Sequence, residues 1–78
     1  MRQWLADELA VCRVDDDREG LVAGDVGTVV HIHPQAAAYE VEFMTLTGRT
    51  LAVATVLPGQ LRPVGSRDVS HVRELAAT

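Results

Sequence analysis

The sequence predicts a small, mainly β domain, and three observations carry that prediction. Gly24-Asp25-Val26-Gly27-Thr28-Val29-Val30 joins a loop glycine, a turn and a β-branched run. Branching at Cβ restricts χ1 in a way strands tolerate better than helices, so this stretch reads as a strand entrance. Tyr39-Glu40-Val41-Glu42-Phe43 alternates apolar and acidic residues, the two-residue period of a half-buried strand. Pro58-Gly59-Gln60-Leu61 is too short for a strand and fits one 3₁₀ turn between extended segments.

The elements follow in order. Leu9 to Val14 is an extended apolar segment, and Asp15-Asp16-Asp17-Arg18-Glu19-Gly20 is a charged loop that no core accepts. Gly24, Asp25 and Gly27 are turn residues, the glycines needing either positive φ or the absence of a Cβ where backbones crowd. Val26 to His33 is the second strand, ended by Pro34, which cannot donate to a ladder. The period places Val26, Thr28, Val30 and Ile32 on the core face, and Gly27, Val29, His31 and His33 on the other. Pairing with the third strand then sets Ile32 opposite Tyr39, Val30 opposite Val41 and Thr28 opposite Phe43, because a one-residue slip would bury the glutamates.

Thr45-Leu46-Thr47-Gly48 makes the next turn, Arg49 to Leu57 the fourth strand and Arg62-Pro63-Val64 a short fifth. The expected core is Val11, Val26, Val30, Ile32, Tyr39, Val41, Phe43, Val53 and Leu61. Five strands and a 3₁₀ turn over residues 1–64 describe a small SH3-like barrel. Residues 65–78 form a tail and a candidate short C-terminal helix, with Ser66 as N-cap, Asp68 in the first turn and Val69, Val72 and Ala76 in one stripe. An isolated helix this short is marginal, which leaves three readings: a helix packed on its own barrel, a frayed end, or an arm docked on a second subunit.

A chain of 78 residues is one domain, and folding at that size buries only about 60% of the unfolded surface. Trp4, Tyr39 and Phe43 are the only aromatics, so Val, Leu and Ala must fill the core. That excludes a proline-peptide groove or a methyl-lysine cage, both of which need clustered aromatics. All seven basic residues are arginines, scattered along the chain, and the net charge is −4. Phosphate attraction needs clustered Lys or Arg, so no nucleic-acid partner is expected, and the likeness of the Gly-x-x-Gly-x-Val pattern to KOW-type barrels stays at the level of fold. No apolar run approaches the roughly 20 residues of a membrane span, and no signal peptide opens the chain. With a lone Cys12, these features lead to a cytoplasmic, reducing setting and no membrane association as the expectation.

Three motifs in order carry a resemblance: Gly20-Leu21-Val22-Ala23-Gly24-Asp25-Val26-Gly27-Thr28-Val29-Val30, then Tyr39-Glu40-Val41-Glu42-Phe43, then Gln60-Leu61-Arg62-Pro63. Over about residues 8–64 the chain resembles a family of small bacterial proteins known only as a domain of unknown function. The resemblance implies an SH3-like β-barrel and carries over no catalytic residue. His31 and His33 stand where ordinary strand residues are expected, and the tail from Gly65 runs past the shared region.

Candidate chemistry is sparse. His31-x-His33 projects two imidazoles from one strand face opposite Glu40, a zinc-type donor set that lacks a third or fourth ligand unless His71 folds back. The expectation is therefore no metal or other cofactor, with a solvated His–Glu contact in its place. Asp15 to Gly20 imitates the start of a calcium loop, but Val26 stands where the bidentate glutamate belongs. Cys12, inside an apolar strand, reads as a small hydrophobe, and adjacent Asp7 and Glu8 point to opposite faces and cannot share a substrate. No catalytic residue is assigned.

Three functions remain. The first is a non-catalytic protein-interaction barrel that self-associates, as a homodimer, or caps a protein partner through a free strand edge, with Trp4, Val69, Val72 and Ala76 as candidate interface residues. The second is an acidic antitoxin or immunity-type protein neutralising a basic toxin. The third is an accessory or subunit-like domain of a metalloenzyme.

Overall fold

The computed structural model describes residues 4–75 and shows a mainly β protein: five antiparallel strands in one sheet. These are β1 (Leu9–Cys12), β2 (Val26–Ile32), β3 (Tyr39–Met44), β4 (Thr50–Val56) and β5 (Leu61–Pro63), in the order β4-β3-β2-β1-β5. Two 3₁₀ turns occur, Pro34–Ala36 and Pro58–Gln60, where one was expected. Gln60 closes the second turn with its own side chain, which accepts a hydrogen bond from the Leu57 amide at 2.9 Å.

The β2–β3 ladder departs from simple alternation at one point. Ile32 lies opposite Tyr39, as expected, but a β-bulge between Val29 and His31 shifts the rest of the strand. Val29 then faces Val41 and Gly27 faces Phe43, in place of Val30 and Thr28. A bulge inserts one unpaired residue and reverses the facing of everything beyond it. Val30 and Val26, assigned to the core from the sequence, are consequently 43% and 49% exposed, whereas Val29 is fully buried. Ile32 keeps its side and packs partly buried against the core.

β4 shows a similar correction. Val53 is half exposed, and Ala52, Ala54 and Val56 turn inward opposite Phe43, Val41 and Tyr39. Small alanines across from the Phe43 ring and Val41 fill the space with little excess volume, the complementarity that core packing rewards. A second register shift, between Phe43 and Met44, leaves Leu51 without a partner in the ladder.

The core joins Trp4, Ala10, Cys12, Leu21, Val29, Tyr39, Val41, Phe43, Ala54, Val56 and Leu61. Trp4 is 4% exposed and meets Tyr39 edge to face, with ring centres 6.4 Å apart. It is a core residue and not the interface residue its position near the terminus suggested. Leu21 is buried because the charged loop is a hairpin tip, closed by reciprocal Asp16 and Leu21 backbone bonds of 2.9 Å.

Residues 64–75 contain no helix. The Asp68 carboxylate, expected in a first helical turn, instead accepts from the Gly65 amide at 2.6 Å and from both Arg62 Nη atoms at 2.8 and 2.9 Å. Val69 and Val72 are 87% and 70% exposed, so no apolar face is packed and the short segment has nothing to sustain a helix. Ala76, the last member of the expected stripe, lies outside the described residues. The tail runs as a strap from Arg62 on β5 to Asp25 before β2, and β1 lies between those strands. Val11 pairs with both Val26 and Arg62 and points away from Ala10 and Cys12, yet is only 4% exposed.

Candidate functional site

Outward-facing side chains at the end of β2 and on β3 and β4 form a polar cluster around Glu40. Glu40 is fixed by strand alternation between inward Tyr39 and Val41, and it receives partners from both neighbouring strands. His33 Nε2 stands 2.6 Å from Glu40 Oε2, and the Thr55 hydroxyl donates to both carboxylate oxygens at 2.8 and 3.1 Å. His31, directly opposite Glu40 in the ladder, packs edge to face on His33 with ring centres 5.2 Å apart. The hydrogen bond from His33, then that from Thr55, holds the Glu40 carboxyl below its ordinary value. Lower on the same face, Thr50 donates to Glu42 at 2.6 Å. The sequence placed His31, His33 and Glu40 together, and the structure does so too; Thr55 was missed because its place depends on β4 register. His71 lies in the strap and lines the same groove as Gly24 and Asp25, which precede β2 and are far from its His31 end. Among the described residues no three His, Cys, Asp or Glu side chains converge as a ready-made metal centre.

A second arrangement joins the turn before β2 to the strap. Gly24 has φ +98°, a conformation that favours glycine, and the turn presents Asp25 outward. Arg73 Nε and Nη2 donate to Asp25 Oδ1 and Oδ2 at 2.8 and 2.7 Å, a bidentate pair, and Nη2 also donates to the Gly20 carbonyl at 3.0 Å. The Arg73 guanidinium draws the Asp25 carboxyl below its usual range despite burial, which opposes the shift. Arg62 does the same at Asp68, with help from the Gly65 amide, to about 2. Arg73 was missed because a partner 48 residues away leaves no local sequence signal.

The acidic loop uses its oxygens internally. Asp16 Oδ1 accepts from the Arg18 and Glu19 amides at 3.1 and 3.3 Å, and Asp15 Oδ1 accepts from Ala23 at 2.9 Å. These are local turn-forming bonds of the kind aspartate makes in place of ligand contacts. Cys12 is buried, and its thiol donates to the Val14 carbonyl at 3.0 Å. The Tyr39 hydroxyl is buried with no hydrogen-bond partner among the described residues, so packing alone holds that ring.

Between strap and sheet runs an open groove of about 730 Å³, lined among others by Val26, Met44, Leu46, Leu51, Val69 and Val72. All six are large and apolar, and five are at least 48% exposed, Leu51 being partly buried.

The family model for a domain of unknown function, DUF4926, matches residues 8–63. The chain belongs to that family. The DUF4926 match takes in all five strands, both 3₁₀ turns and Asp25, while Trp4, Asp68 and Arg73 fall outside it. The strap and the aromatic contact with Tyr39 are thus set by residues flanking the family region. No curated protein and no solved structure matches the chain. No helix among the described residues is long and apolar enough to cross a membrane.

Proposed function

We propose that this DUF4926 protein is a non-catalytic interaction domain that works by self-association. The observation that carries the reading is the groove whose walls expose Val26, Met44, Leu46, Val69 and Val72 beside the start of β4, the terminal strand on that side of the sheet. Contiguous exposed apolar surface beside a free strand edge is what a second copy can cover, by apolar contact and by completing the ladder. A two-fold contact would bring the same patch of each copy together. The described carboxylates with resolved shifts, Asp25, Glu40 and Asp68, all move downward, away from the values near neutrality that general acid–base catalysis uses. A reducing, cytoplasmic compartment suits the free and buried Cys12.

Sedimentation of the full chain and of a form lacking residues 66–78 tests the reading. A dimer at micromolar concentration, weakened in the shortened form, is the expected result; a full chain that remains monomeric at several hundred micromolar overturns it. The net charge of −4 favours a second reading, the neutralisation of a basic protein partner. A stable complex with a basic protein encoded beside this one, formed by a monomeric chain, would select it.

A further inference from the structure

We propose that His31 and His33 form a two-imidazole chelate for a divalent transition-metal ion of the zinc class, with Glu40 as the group that orients His33. The inference is independent of the self-association reading. His33 has φ −69° and ψ 157°, so the extended backbone continues one residue past β2 and keeps both imidazoles on the outer face.

The hydrogen-bond pattern decides which ring nitrogen of His33 is available. Glu40 already accepts from Thr55, and an ionised carboxylate can only accept, so the hydrogen between Glu40 Oε2 and His33 Nε2 resides on the nitrogen. In the neutral imidazole that leaves Nδ1 with a free lone pair. An imidazole donating one N–H to a carboxylate while the other nitrogen binds a metal is the usual outer arrangement of metal-ligating histidine.

Ring spacing supplies the second observation. With metal–nitrogen bonds of about 2.05 Å and about 1.15 Å from ring nitrogen to ring centre, two imidazoles on a tetrahedral ion stand about 5.2 Å apart, centre to centre. The centres of His31 and His33 are 5.2 Å apart with the planes 84° to each other. The ion would seat where His33 Nδ1 points with Nε2 still on Glu40, and His31 would turn about its Cβ–Cγ bond out of the edge-to-face contact to bring a ring nitrogen to it. Since no third donor converges among the described residues, water or a group from another molecule completes the coordination, which makes the site exchangeable. Two nitrogen donors select zinc, copper or nickel over magnesium and calcium, which take oxygen ligands.

Calorimetric titration of the full chain with zinc chloride in excess magnesium chloride reads the site, magnesium occupying any oxygen-only position on the Asp15–Glu19 loop. One zinc per chain is expected at micromolar protein. Either His31→Ala or His33→Ala lowers the affinity at least tenfold, Glu40→Gln lowers it by about 10- to 100-fold, and His71→Ala leaves it unchanged. Because a variant can lose binding by unfolding, cobalt(II) broadening of histidine ring protons in the unaltered chain gives an independent reading, confined to His31 and His33. Absence of binding, affinity untouched by His31→Ala, or broadening centred on His71 or the Asp15–Glu19 loop overturns the proposal.

Discussion

Gly27 lies directly opposite Phe43 in the β2–β3 ladder, and a Cβ built on Gly27 would stand 2.9 Å from Phe43 Cε1 and 2.6 Å from Val41 Cγ1. The Glu42 carbonyl oxygen, at 2.9 Å, closes the third side and is backbone, so it cannot swing away. Gly27 is there because two core side chains occupy the space a side chain would need, and its backbone is not in the left-handed region.

The first prediction follows from that crowding. Gly27→Val should lose about 1 to 3 kcal/mol of stability in chemical denaturation, although valine is the better strand former, because overpacking outweighs propensity. A neutral or stabilised variant would show that the β2–β3 face is looser than described.

A pair of neighbours tests the bulge. Val29 is fully buried and Val30 is 43% exposed, so Val29→Ala should cost about 2 kcal/mol or more, while Val30→Ala should stay within about 0.5 kcal/mol. The reverse order would restore the uninterrupted register that simple alternation predicts.

That register marks the boundary of what the sequence reveals. Tyr39, Val41 and Phe43 alternate with two glutamates, and burying a carboxylate is expensive enough to fix their facing without further information. In Val26–Ile32 and Thr50–Val56 both faces carry apolar or β-branched side chains, so the period has no carboxylate to anchor it and a bulge leaves no trace. Alanines at 52 and 54 hid the inner face of β4, since Val53 looks the better core residue until Phe43 and Val41 claim the room opposite. His31, His33 and Glu40 were legible because they sit between the bulge and the β2–β3 turn, where the pairing of Ile32 with Tyr39 follows simple alternation. Arg73 and Thr55 were not, because each is placed by pairing between distant segments. The candidate C-terminal helix is absent for a related reason: Asp68 and Arg73 are consumed by partners on β5 and before β2, and that pairing is invisible in local spacing.

The last prediction concerns how the strap is held. Its valines are exposed and its anchors are two arginine–carboxylate pairs, so charge and not apolar burial should govern its attachment. Asp25 and Asp68 both have carboxyls lowered in the folded chain, the first by Arg73 and the second by Arg62, to about 2. A lowered folded value means the contribution is fully present above the ordinary carboxylate value of 3.8 and is lost as pH falls through the folded value. Attachment should therefore be flat across neutral pH and fail between about pH 4 and pH 2. Backbone amide resonances of Val69 to Leu75 followed by NMR against pH should move together in that window, ahead of the core amides of β1 to β4. Arg73→Ala should produce the same displaced positions for the C-terminal half of the strap at neutral pH with the sheet still folded, and Arg73→Lys should restore them only in part, because an ammonium cannot engage both Asp25 oxygens in the same fork. A strap whose resonances hold at pH 2 and survive Arg73→Ala would show that contacts other than the ion pairs keep it in place.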